Sequence, residues 1–138
     1  MLTVHQLAVG TGVTTDTIRH YTRIGLLKPE RDKSNGYKLF KSGDRQRVRF
    51  IRQAKNLGFT LREIQDILDV ANHGNSPCPQ VREIIQERIH ENRRKLEELM
   101  VLQHRMEEAL ARWEQMPDGI PDGHSVCHLI EAIDEQDA

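Results

Sequence analysis

The chain has 138 residues, a formal net charge of −1, two cysteines and only 4% aromatic residues. That length allows one small domain with an appendage, and so few aromatics leave little material for a deep ligand pocket. No secretory signal and no membrane-spanning apolar run is evident, so the expectation is a cytoplasmic chain with reduced thiols and no membrane partner.

The near-zero charge conceals a division. Residues 1–70 carry 13 Lys+Arg against 7 Asp+Glu, while residues 71–138 carry 7 against 14. A charge run is usually a solvated face, but segregation of this kind gives a basic head that attracts phosphates and an acidic tail.

In chain order, Thr3 and Gln6 form a capping-box pattern ahead of Val4, Leu7 and Ala8, and Gly10 and Gly12 are expected to end this first helix. Thr14 or Thr15 caps a second helix, with Asp16 near its positive end. Ile18, Tyr21 and Ile24 share one face, which leaves Arg19, His20 and Arg23 largely off it. Gly25 and Pro29 stop this helix. Ser34-Asn35-Gly36 is a hairpin signal, because Asn-Gly takes positive φ readily, and Tyr37, Leu39 and Phe40 flank it as a short strand. A basic helix with Arg45, Arg47, Arg49 and Arg52 starts near Gly43 and ends at Gly58. Thr60 and Glu63 then cap a helix holding Leu61, Ile64, Ile67 and Leu68. Two short polar helices followed by a basic wing suit the grooves of DNA better than they suit a catalytic core.

From Pro79 to Glu114 there is no further Gly or Pro, and Pro79 suits a helix start. A heptad frame fits, with Ile85, Asn92, Leu99, Met106 and Trp113 at one seam position and Ile89, Leu96, Gln103 and Leu110 at the other. A helix of about 35 residues spans roughly 50 Å, too long to pack on so small a head. Pairing with a second copy as a homodimer is expected, because a solitary helix would leave this seam in water.

Cys78 sits at the start of the rod in SPCPQV, where unpaired amides favour a thiolate. Cys127 lies beyond the rod's far end, with His124, His128 and Asp122 close by in sequence. Two cysteines so far apart are not a zinc finger. His-x-x-Cys-His is nonetheless a compact set of thiol and imidazole donors that suits zinc and admits cadmium, cobalt or nickel. His73 is an outlying candidate. The alternatives are a thiol or redox switch using Cys78 and Cys127, and a Cys127 that is merely a small apolar residue beside Val126, Leu129 and Ile130.

The segments TIRHYTRIGLLKPERDKSNGYKLF (Thr17 to Phe40), Asp44 to Ile51 and LGFTLREI (Leu57 to Ile64) resemble the MerR family of bacterial transcription regulators. The resemblance is ordered, covers residues 2–70 and extends in pattern along the rod. It implies a mainly α protein with a winged helix-turn-helix head and a long antiparallel coiled-coil dimerisation helix. It implies further that the dimer distorts double-stranded promoter DNA in response to an effector, realigning the promoter for RNA polymerase. The DNA-binding set it suggests is Thr15, Arg19, His20 and Tyr21 on the second helix, with Arg31, Asn35, Tyr37 and Lys38 on the wing. The family commonly has Arg at the Lys38 position and Tyr at the His20 position. Lys38 keeps the charge without the bidentate fork, and Tyr21 could instead pack beneath its helix.

The resemblance is strongest to the branch that responds to divalent ions. Antiparallel rods would bring Cys78 of one protomer to the post-rod loop of its partner, so the implied metal set is Cys78, His124, Cys127 and His128. Cys127 matches the cysteine that closes the family's effector loop. The cysteine that opens that loop is replaced by Trp113, and the loop is several residues longer.

The expected domains are the winged head at residues 1–70, a hinge at 71–78, the dimerisation helix at 79–115, and an effector loop with a short helix at 116–138. Asp134 to Ala138 should fray. Three classes of function compete: an effector-responsive DNA-binding regulator, a metal-buffering protein and an enzyme. The ordered wing favours the first. No local Ser-His-Asp or Cys-His arrangement and no phosphate-cradling glycine loop supports the third, so no enzyme is expected.

Overall fold

A computed structural model describes residues 1–133, and the expected fraying of Asp134 to Ala138 falls outside the described residues. The elements are α1 (Val4–Thr11), α2 (Thr15–Arg23), β1 (Glu30–Arg31), β2 (Lys38–Leu39), α3 (Asp44–Asn56), α4 (Leu61–Asn72), α5 (Cys78–Trp113) and α6 (His128–Glu131). They fall into two units, residues 1–81 and Arg82 onward.

Local chemistry accounts for most boundaries of the first unit. Reciprocal capping boxes open α1 (Thr3 with Gln6) and α4 (Thr60 with Glu63), and the Thr14 hydroxyl caps α2 by accepting from the Thr17 amide at 3.1 Å. Gly10 does not end α1 as expected. It lies within the helix, where a side chain would meet the Arg45 guanidinium group, and Gly12 provides the left-handed cap at φ +72°. The wing turn also differs from a two-residue Asn-Gly hairpin, because only Gly36 takes positive φ. The Gly36 amide donates to Asp32 O at 2.8 Å, and Asp32 Oδ1 accepts from the amide and hydroxyl of Ser34. β1 and β2 pair antiparallel, with Glu30 opposite Leu39 and Arg31 opposite Lys38. Phe40 sits just past β2 and exchanges two backbone bonds of 2.7 Å with Leu2, closing the wing onto the chain's start.

The core of this unit is a single cluster. Leu7, Ile18, Leu26, Leu27, Phe40, Val48, Ile51 and Ile64 are fully buried. Two arginines of the basic helix α3 turn out to be structural. Arg47 Nε donates to Leu26 O at 3.0 Å, and Arg52 donates to Thr11 O at 2.8 Å. The Thr11 carbonyl is one left open in the last turn of α1, and the Leu26 carbonyl belongs to the turn after α2.

The connecting segment is shorter than residues 71–78. α4 runs to Asn72, and Cys78 is already the first residue of α5, which leaves residues 73–77 between them. The Ser76 hydroxyl accepts from the Cys78 amide at 3.3 Å, and Pro77 O accepts from Val81.

The second unit is organised differently. α5 is 36 residues long, and Ala109 is the one buried apolar side chain among its described residues. Leu96 and Leu99 are each 60% exposed, and Ile89, Met106 and Leu110 are also exposed. Leu96 and Leu99 border a shallow groove of about 300 Å³ with Asn92 and Lys95. A helix with an apolar stripe this wet does not fold for its own sake. Past the rod, the indole of Trp113 donates to Leu129 O at 2.8 Å and so ties α6 to the rod's end.

Candidate DNA interface and effector site

The N-terminal ends of α1 and α2 and the wing border one open cleft of about 660 Å³ in the first unit. Its walls are Thr3, Val4, His5, Thr15, Arg19, Arg31, Gly36, Tyr37 and Lys38. Three cations converge there with a tyrosine that is 67% exposed. The start of α2 adds backbone amides and the positive end of its dipole, so the cleft suits phosphate groups. Arg19 pairs with Asp16 at 3.1 Å, but both groups are well exposed, and a pair of that kind yields easily to a phosphate.

Five of the eight residues expected at DNA therefore share this cleft: Thr15, Arg19, Arg31, Tyr37 and Lys38. The other three lie outside its walls. His20 is exposed beside Arg23. Asn35 uses its side-chain oxygen within the turn, accepting from the Tyr37 amide at 2.9 Å. Tyr21 is only 7% exposed, and its ring belongs to the core. Burial raises the pKa of its hydroxyl above the ordinary tyrosine value, and the nearby Arg52 charge offsets this in part, so the phenol stays protonated. His5 and Thr3 were not legible as cleft residues. Their only sequence signal is a place in the first turn of a capped helix.

The cysteines are both free thiols, with Cys78 exposed and Cys127 half-buried. Among the described residues of this one chain, no group of three or more His, Cys, Asp or Glu side chains is gathered as a metal site. His73 is the residue that ends α4, and its Nδ1 lies 2.7 Å from Asp69 O. The loop around Cys127 is nevertheless well braced. Asp122 Oδ1 accepts from the amides of His124 and Ser125 at 2.7 and 2.8 Å. His128 Nε2 lies 2.9 Å from Pro117 O, and since a carbonyl only accepts, Nε2 is the donor and Nδ1 is the nitrogen left for any other partner. A backbone carbonyl holding the second nitrogen is the usual support for a metal-ligating imidazole. Gly119 lies against this ring, and a Cβ there would collide with it. Cys127 and His128 thus form one thiol and one braced imidazole, a donor pair that fits zinc once further ligands arrive.

Comparison with known proteins accords with this geometry. The family described as "MerR HTH family regulatory protein" matches residues 2–70, and that described as "MerR, DNA binding" matches residues 45–109. The chain is 30% identical over 136 residues to the HTH-type transcriptional regulator ZntR of Escherichia coli K12, covering 98% of this chain and 94% of that one. It is 31% identical over 131 residues to the mercuric resistance operon regulatory protein of Bacillus cereus, covering 94% and 95%. The transcription regulator PbrR691 from Ralstonia metallidurans CH34, solved with lead(II), shares the fold at a TM-score of 0.75 and 21% identity, covering 96% of this chain and all of the other. These relatives are regulators and not enzymes, as is this protein. The chain belongs to the MerR family of DNA-binding transcription regulators.

Proposed function

We propose that two copies of this chain pair through α5, read a pseudo-palindromic promoter and switch their hold on it when a divalent metal ion, zinc first among them, binds between protomers. The observation that carries the DNA half of this reading is the single cleft joining Arg19 of α2 to Arg31, Tyr37 and Lys38 of the wing. Arg19 and Thr15 enter the major groove, while the wing cations grip flanking phosphates. His20 adds an exposed edge contact. Tyr21 acts from within the core by supporting the helix, and Asn35 by shaping the wing turn. The exposed stripe of Ile89, Leu96, Leu99 and Met106 supports the homodimer. RNA polymerase then engages the promoter that the dimer has distorted.

In the effector half, Cys78 of one protomer joins Cys127 and His128 of the other, with His124 as a fourth donor. Three or four sulfur and nitrogen ligands suit zinc and also accept cadmium, cobalt or nickel. The free state of both cysteines and the Nδ1 left unengaged by the Nε2 bond of His128 support this set. The similarity to a mercuric resistance operon regulatory protein supports a metal over an organic effector.

The test is metal stoichiometry and affinity on the reduced dimer, comparing wild type with Cys78→Ser and Cys127→Ser, followed by promoter binding with and without metal. Near one ion per protomer, lost in both variants, is the expected result. Failure of the wild type to bind any of these ions tightly would overturn the metal switch and move the effector role to thiol chemistry at the same two cysteines. The DNA reading has its own test in salt-dependent promoter binding.

A further inference from the structure

We infer that Glu131 is the positioning residue of the effector loop, holding the Cys127 thiol in place before any ion arrives. The inference rests on the proposed role of Cys127 as a ligand. α6 is only four residues long, too short to be stable by itself. Cys127 occupies its N-cap in an extended conformation (φ −144°, ψ 107°), and a thiol makes no capping hydrogen bond there. Separately, the Val126 and Cys127 amides lie ahead of the helix and need an acceptor of their own. Glu131 supplies it from one turn ahead. Its Oε1 accepts from the Cys127 amide at 2.9 Å, the Val126 amide at 3.2 Å and the Ser125 hydroxyl at 2.7 Å.

One carboxylate oxygen thus fixes three consecutive residues that end in the cysteine. Trp113 at Leu129 O and His128 at Pro117 O secure the other side of the same short helix. With both sides held, the backbone of Cys127 and the His128 ring are fixed within one braced loop, and ion binding does not have to order it. Support of this kind raises affinity by removing the ordering cost. Glu131 itself touches no ion in this arrangement, since it acts through the backbone of Cys127.

The experiment uses the full-length reduced dimer and cobalt(II) as probe, with thiolate-to-cobalt absorption and zinc competition as readouts. Glu131→Ala and Glu131→Gln are compared with wild type. Glu131→Ala should weaken cobalt affinity by roughly 10- to 100-fold, the range typical of lost support around a ligand. Glu131→Gln should restore most of it, because an amide oxygen still accepts from backbone N–H groups. In the metal-free protein, the Val126 and Cys127 amides should exchange faster in Glu131→Ala and near the wild-type rate in Glu131→Gln. Metal-free promoter binding should be unchanged, showing an intact head. Wild-type affinity and exchange in Glu131→Ala would overturn the inference. Equal weakening in both variants would also overturn it, because charge at the helix start would then be the cause. If wild-type protein binds no cobalt through Cys127 while Glu131→Ala still frees these amides, positioning of Cys127 stands and the metal reading falls.

Discussion

The head and the rod solve the same folding problem in opposite ways. The head buries a continuous cluster, from Leu7 to Ile67, within residues 1–81, and its helix ends are closed by side-chain caps and by the long reaches of Arg47 and Arg52. The rod is 36 residues of helix with Ala109 as its one buried apolar side chain among the described residues. The first can be stable as a single copy, whereas the second has an apolar seam that only another surface can dry. A regulator gains from that division. On the proposed pairing, the DNA-reading unit would keep its shape, while the rod would set the distance between two heads and carry the effect of an ion bound at its end.

The strongest way to break the comparison is to charge the seam. On the proposed pairing through α5, Leu99→Glu should give a monomer in sedimentation where the wild type gives a dimer, and weaken promoter binding by roughly 100-fold or more, the loss expected when two linked contacts become one. The head should keep its melting transition. Phe40→Ala is the converse, with a cost of about 3–5 kcal/mol in the head, read by calorimetry. A head that melts together with the rod in either variant would contradict the division.

Arginines sharpen it further. Arg52→Ala removes a charged donor from Thr11 O and should destabilise the head by about 1.5–3 kcal/mol, with little change in the salt dependence of DNA binding. Arg19→Ala should do the reverse, leaving stability within about 0.5 kcal/mol and lowering the salt slope by about 1 per half-site. Smaller again is Trp113→Phe, which keeps the ring but loses the bond to Leu129 O. It should cost about 1 kcal/mol, visible as faster amide exchange across α6 with the rod unchanged.

The mildest effect is a pH dependence in the wing. Hydrogen bonds from the Ser34 hydroxyl and amide hold the Asp32 carboxyl below the ordinary aspartate value of 3.8. A carboxylate whose pKa falls on folding stabilises above its unfolded pKa, and that contribution is lost as pH drops through the lower folded value. The Ser34 amide should therefore stay protected at pH 5 and lose protection only in stronger acid, and Asp32→Asn should abolish that dependence.

What the sequence determined by itself is much of what is governed by neighbours within about one helical turn. Thr3 and Thr60 as caps and Gly58 as a stop follow from such short spacings and could be read directly, whereas the choice of Thr14 over Thr15 and of Gly12 over Gly10 needed the folded backbone. The charge split and the ordered wing motif likewise pointed to DNA before any geometry was known. Tertiary structure alone decided how side chains of one chemical type divide their roles. Arg47 and Arg52 serve carbonyls 21 and 41 residues away, while Arg19 and Arg31 face the cleft. Tyr21 enters the core while Tyr37 stays exposed. Trp113 and Glu131 brace a segment that spacing alone had marked by its cysteine, histidines and Asp122, with no role given to Glu131. The physical reason is reach. Caps, stops and seams are set by the local path of the backbone, whereas the fate of a long polar side chain depends on which distant carbonyl, amide or open surface the packed chain brings beside it.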